Sequence, residues 1–154
     1  MSDELALESN GPEDTRAIGE RLGGLLEPGD VVLLQGELGA GKTTFVQGVA
    51  RGLGFEGAVS SKSFVLLGEY AGRVKLYHAD LYRLEDPEQV FDLALDEVSA
   101  DGVLVVEWPE RAQNTLADEH LLVQFEVEGE DRRVLRFEPR GERAGQLLSR
   151  MRGG

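Results

Sequence analysis

The chain has 154 residues, 41% of them hydrophobic, no cysteine and a formal net charge of −13, so it is sized for one domain with its own core and excludes disulfides, thiolate metal sites and cysteine nucleophiles. The acidic balance excludes a free-standing nucleic-acid binder, which needs a basic face, so DNA is not expected as a partner and RNA is expected only through another protein. No stretch of about 18 apolar residues and no basic-then-apolar leader is present, which predicts a cytoplasmic protein without membrane contact.

In chain order, Leu5 and Leu7 alternate with polar neighbours and read as a short edge strand, and Asn10-Gly11-Pro12-Glu13 reads as a cap and first helical turn. Ile18, Leu22, Leu25 and Leu26 share one face of the helix that follows, with Glu20 and Arg21 pointing away. Thr15 and its neighbours read as capping residues, with a place near a nucleotide base as the alternative. After the turn Pro28-Gly29-Asp30, the apolar run Val31-Val32-Leu33-Leu34 predicts a buried strand. The segment Gly36-Glu37-Leu38-Gly39-Ala40-Gly41-Lys42-Thr43 then fits G-x-x-x-x-G-K-[ST]. Beyond it Phe45, Val49 and Leu53 recur at helical spacing up to Gly54, where a left-handed residue is expected.

Strand, loop and helix in this register are the context that a phosphate-binding loop requires. Gly36, Gly39 and Gly41 let the backbone curl so that N–H groups point at an anion, at the positive end of the next helix. The expected ATP-binding set is Glu37, Leu38, Gly39, Ala40, Gly41, Lys42, Thr43 and Thr44. Lys42 reaches the β- and γ-phosphates, the Thr43 hydroxyl ligates Mg²⁺, and Thr44 bonds the α-phosphate.

Further along, Ser60-Ser61-Lys62-Ser63 is either a switch whose hydroxyls sense the γ-phosphate or a plain connector, and it leads into a strand over 64–70. Ala71-Gly72 turns the chain into a second strand over 73–80, forming a hairpin. His78 and Asp80, at i and i+2, project from one face of it. His78 is assigned a structural role; Asp80 ligates Mg²⁺, orients a water, or pairs with Arg83. Asp86-Pro87-Glu88 starts a helix, and Asp101-Gly102 precedes the apolar strand Val103-Leu104-Val105-Val106, which ends in Glu107-Trp108. An apolar strand ending in an acid is a Walker B arrangement, with the carboxylate at the edge where α/β sheets bind ligands; the alternative is an ordinary strand-end carboxylate. Trp108 is read as a ring packed over the sheet edge, with gating of the site or a partner surface as the sharper alternative. Residues 121–127 alternate as a half-buried strand, pair as a hairpin with 133–137, and precede a helix marked by Ala144, Leu147, Leu148 and Met151. Residues 150–154 are expected to be loose. No repeat or linker interrupts the chain, so one α/β P-loop NTPase domain over 1–154 is predicted, its mixed parallel and antiparallel sheet flanked by helices.

These motifs together, GELGAGKTTF from Gly36, Ser61-Lys62-Ser63-Phe64, His78-Ala79-Asp80-Leu81-Tyr82-Arg83-Leu84 and Val106-Glu107-Trp108-Pro109-Glu110, resemble the bacterial TsaE (YjeE) family over most of the chain. The resemblance implies Lys42 and Thr43 on Mg·ATP, Glu107 as the metal ligand and Asp80 as a residue needed for hydrolysis. It also implies a small ATPase working with TsaD and TsaB in tRNA threonylcarbamoyladenosine synthesis, touching tRNA only through that complex and not performing the transfer itself. One departure is visible: the family's S-P-T-F reads Ser61-Lys62-Ser63-Phe64 here, which frees the backbone and adds a charge. The rival readings are a P-loop small-molecule kinase and an ATP-sensing adaptor without turnover.

Overall fold

The computed structural model describes residues 4–37, 39–55, 67–82, 100–112 and 119–153. Seven strands form one sheet: β1 (Leu5–Ser9), β2 (Val31–Gly36), β3 (Leu67–Tyr70), β4 (Lys75–Asp80), β5 (Gly102–Glu107), β6 (His120–Val127) and β7 (Arg133–Arg140), in the order β1-β7-β6-β2-β5-β4-β3. The four central strands, β6-β2-β5-β4, run parallel, and an antiparallel partner closes each side. This is the mixed sheet that the alternation of apolar runs and hairpins predicts. β5 is buried along its whole length, as a continuous Val/Leu run must be in a parallel sheet covered on both faces. The expected edge strand at Leu5 and Leu7 forms and lies at the sheet's edge beside β7.

Alternation along the strands builds two cores. Leu34, Leu76, Val105, Leu121 and Phe137 face one side, and three helices cover it: α1 (Pro12–Gly23), α2 (Lys42–Gly52) and α3 (Glu142–Gly153), through Leu22, Phe45, Val49 and Leu147. Leu33, Tyr77, Ala79, Leu104 and Val106 face the other side and enclose Leu81. α3 continues to Gly153, with Met151 buried, so residues 150–153 of the end expected to be loose over 150–154 are helical, and Gly154 lies outside the described residues. Met151 gives that last turn an apolar anchor, and the Arg152 guanidinium donates to the Glu4 carbonyl. Arg143 also clamps α3 to the turn before β2, donating to both oxygens of buried Asp30 at 2.9 and 3.0 Å.

α1 and α2 meet backbone to backbone. A Cβ at Gly48 would lie 2.1 Å from the Arg16 carbonyl oxygen, one at Gly52 2.3 Å from that of Glu20, and one at Gly19 2.3 Å from that of Phe45. Gly19 and Gly23 on α1, and Gly48 and Gly52 on α2, are each four residues apart and so share one helix face. No side chain fits between the helices, and α2 is therefore seated tightly by α1. The candidate helix from Asp86 and the Ser60–Ser63 segment lie outside the described residues.

Candidate active site

β2 hands over to α2 through the glycine loop. Gly39 and Gly41 have φ of 82° and 102°, a region that side-chain-bearing residues adopt only with strain. Gly36 is required for space, since a Cβ there would sit 2.9 Å from the Phe125 Cβ. Gly41 is the residue before α2 and offers no side-chain cap. The first N–H groups of a helix have no intrahelical acceptor, so those of Lys42, Thr43 and Thr44 are the backbone donors at the positive end of α2. Ala40 is buried and its N–H donates to the Glu37 carbonyl at 3.1 Å, closing the turn. Leu38 lies outside the described residues.

Lys42 is 4% exposed. Its ammonium donates to the Gly36 carbonyl at 2.7 Å and lies 3.3 Å from the centre of the Trp108 ring, a cation–π arrangement. Burial pulls the Lys42 pKa below the ordinary lysine value, an effect opposed by the charges of Glu107, Glu110 and Asp80. The lysine is thus among three carboxylates, yet its charged form remains disfavoured.

The strand ends supply those carboxylates. The parallel register sets Asp80 opposite Glu107, at the carboxyl ends of β4 and β5. Glu107 is 3% exposed and its Oε2 lies 2.5 Å from Nε2 of His78, itself 5% exposed. His78 therefore does more than pack, for it holds the very acid that the apolar strand delivers. Asp80 is less buried, and its Oδ1 accepts from the Tyr82 N–H at 3.0 Å. Arg83, its alternative partner, lies outside the described residues.

Trp108 packs as the first of its two readings expects. Its ring packs against Leu33 and its neighbours under the sheet and also covers Lys42. Its φ of 60° is left-handed, which costs a bulky residue about 1–3 kcal/mol, and its N–H is held by the Leu34 carbonyl at 3.2 Å. The Tyr82 ring stacks 4.9 Å away at a tilt of 43°. Tyr82 and Glu110 are site residues that pattern reading missed. Tyr82 stood in the H-x-D-x-Y motif without an assigned task, and Glu110 carries no local signal, because the short 3₁₀ turn Pro109–Ala112 alone carries it back toward Lys42.

Among the described residues no group of three or more His, Asp or Glu is arranged to hold a metal unaided. The hydroxyl of Thr43 and the carboxylates of Glu107 and Asp80 are hard oxygen donors of the kind that suits Mg²⁺, which keeps waters and shares phosphate oxygens rather than occupying an all-protein cage. The donor set therefore fits Mg²⁺ held jointly with a nucleotide.

Fold and site together define an α/β protein in which a glycine loop, a buried lysine and paired strand-end carboxylates converge at the carboxyl ends of the central strands of a mixed seven-stranded sheet. Residues 9–135 match the family described as "Threonylcarbamoyl adenosine biosynthesis protein TsaE". The chain is 41% identical over 142 residues to the tRNA threonylcarbamoyladenosine biosynthesis protein TsaE of Bacillus subtilis, spanning 91% of this chain and 89% of that one. It is 45% identical over 120 residues to the TsaE of Treponema pallidum, spanning 77% and 89%. The crystal structure of YdiB from Bacillus subtilis superposes with a TM-score of 0.82 at 37% identity, covering 99% of this chain and 98% of that one. The chain belongs to the TsaE family of threonylcarbamoyl adenosine biosynthesis proteins, as its motifs indicated. No helix among the described residues is long and apolar enough to cross a membrane.

Proposed function

We propose that this chain binds Mg·ATP on the loop Gly36–Thr43 and hydrolyses it, and that turnover drives a TsaD/TsaB complex through repeated cycles of tRNA threonylcarbamoyladenosine modification. The observation that carries the reading is the placement of Lys42. It is a buried cation at the start of α2, its charged form disfavoured by burial, with Glu107 and Asp80 close enough to raise its pKa. An anionic ligand arriving at the loop gives this desolvated ammonium a charged partner at the positive end of α2.

In this reading the Lys42 ammonium leaves the Gly36 carbonyl for the β- and γ-phosphates, and the backbone N–H groups of Gly39 and of Gly41 to Thr44 hold the remaining oxygens. Thr43 and Glu107 would hold Mg²⁺, which would supply neutralisation of phosphate charge. Asp80 accepts a hydrogen bond from the attacking water. The water oxygen bonds to the γ-phosphorus, the bond from that phosphorus to the bridging oxygen breaks, ADP leaves with the electron pair, and both protons of the water end on the released phosphate. The chain then works as a partner-dependent ATPase in the cytoplasm, meeting tRNA only through the complex.

The test is phosphate release measured with and without TsaD and TsaB, alongside threonylcarbamoyladenosine formed per complex over time. Many cycles with wild type and about one with Asp80→Ala are expected. Repeated cycles with a variant that releases no phosphate would replace the motor reading by a passive ATP-sensing adaptor.

A further inference from the structure

We infer that His78 is a positioning residue for Glu107, fixing which carboxylate oxygen that acid presents to a divalent cation. The inference rests on the Mg·ATP reading above and adds a residue to it. The register places the pair: Asp80 is opposite Glu107 across the parallel β4–β5 ladder, so His78, two residues earlier on the same face of β4, stands diagonally across from Glu107. Their contact at 2.5 Å is buried at both ends.

A glutamate at the last position of a strand has three rotatable side-chain bonds, and a carboxylate offers two equivalent oxygens. With its proton on Nε2 the imidazole donates to Glu107 Oε2. The side chain is thereby fixed at one oxygen, and Oε1 is left for a further partner. Asp80, held at its own Oδ1 by the Tyr82 N–H at 3.0 Å, has no N–H with which to hold Glu107. Outer groups that orient a metal ligand in this way typically change metal affinity about 10–100-fold when removed. A histidine that merely fills space predicts no such coupling, because an apolar side chain of similar volume would serve equally well.

The experiment measures affinity for a fluorescent ATP analogue with and without Mg²⁺, and reads the ratio of the two. For His78→Leu, affinity without Mg²⁺ stays at the wild-type level, while the tightening by Mg²⁺ falls about tenfold or more. His78→Gln, whose amide nitrogen reaches to the level of the imidazole Nε2, restores most of the tightening. Retention of the full Mg²⁺ effect in His78→Leu overturns the inference. If that variant does not fold, judged by circular dichroism, His78→Gln is compared with His78→Asn, whose amide ends one carbon short. A larger Mg²⁺ effect in the glutamine variant supports the inference, and equal effects overturn it. Glu107→Ala separates the two levels of the reading. Loss of the Mg²⁺ effect there with its retention in His78→Leu removes only the role of His78. Retention in Glu107→Ala removes the metal role of Glu107 itself, and the inference with it.

Discussion

Strands β4 and β5 carry a charged cluster at each end, and the two clusters behave in opposite ways. At their amino ends, Lys75 lies 3.1 Å from Glu69 and 3.5 Å from Asp101 against solvent, and the hydroxyl of buried Tyr77 donates to Asp101 at 2.5 Å. At their carboxyl ends, Lys42, His78 and Glu107 are buried. The Lys75 pKa is raised, first by its hydrogen bond to Glu69 and then by Asp101, whereas burial lowers that of Lys42 despite three nearby acids. The exposed lysine gains from anions that stand in water, and the buried one carries the cost of desolvation against three of them. A cation held out of solvent at the start of a helix suits a phosphate, while the same residue types in water form only a surface network of little consequence.

The contrast can be broken most severely by unseating the helix that carries Lys42. Gly48→Val would drive a side chain into the Arg16 carbonyl, and overpacking of this kind costs about 1–3 kcal/mol or more. A lower denaturation midpoint together with weaker ATP binding is expected, and unchanged ATP affinity in the folded variant would show that α1 does not position the loop.

Lys42→Ala comes next. It removes a charge-assisted bond of about 1.5–3 kcal/mol to the phosphates, so calorimetry should record ATP affinity down by roughly 10–100-fold. The free chain should lose no stability, because the variant also removes the burial cost of the ammonium. Wild-type ATP affinity in this variant would end the phosphate-site assignment.

The two acids sharpen the comparison within the buried end. Glu107→Ala is expected to weaken nucleotide binding only when Mg²⁺ is present, and Asp80→Ala to spare binding while depressing phosphate release. Equal loss of Mg²⁺ dependence in both would make Asp80 a second metal ligand. The smallest effect belongs to the exposed end: Lys75→Ala should leave both ATP affinity and thermal midpoint within error of wild type. A clear loss of ATP affinity there would mean that the two ends of the strands communicate.

Much of this was legible in the chain because it is local. The run Val31 to Leu34, the glycine loop and the periodic Phe45, Val49 and Leu53 declare a strand, turn and helix in contiguous residues, and Gly54 does adopt the left-handed φ of 92° expected after the helix. Glu107 was legible as an acid closing an apolar strand. Its partner was not, since the bond from His78 depends on which strand lies beside β5 and in what register, and 29 residues separate the two. The close approach at Gly19, Gly23, Gly48 and Gly52 was not legible either, because it depends on which helix lies against which.

What the sequence determines by itself is therefore whatever a few consecutive residues impose: periodicity, backbone freedom at Gly39 and Gly41, and the chemistry of Lys42 and Thr43. Tertiary structure alone decided the strand order, the seating of α2 on α1 and the juxtaposition of Lys42 with Trp108, Glu107, Glu110 and Asp80. It also decided the direction in which Lys42 titrates, because desolvation is set by everything that surrounds a charge and not by its neighbours along the chain.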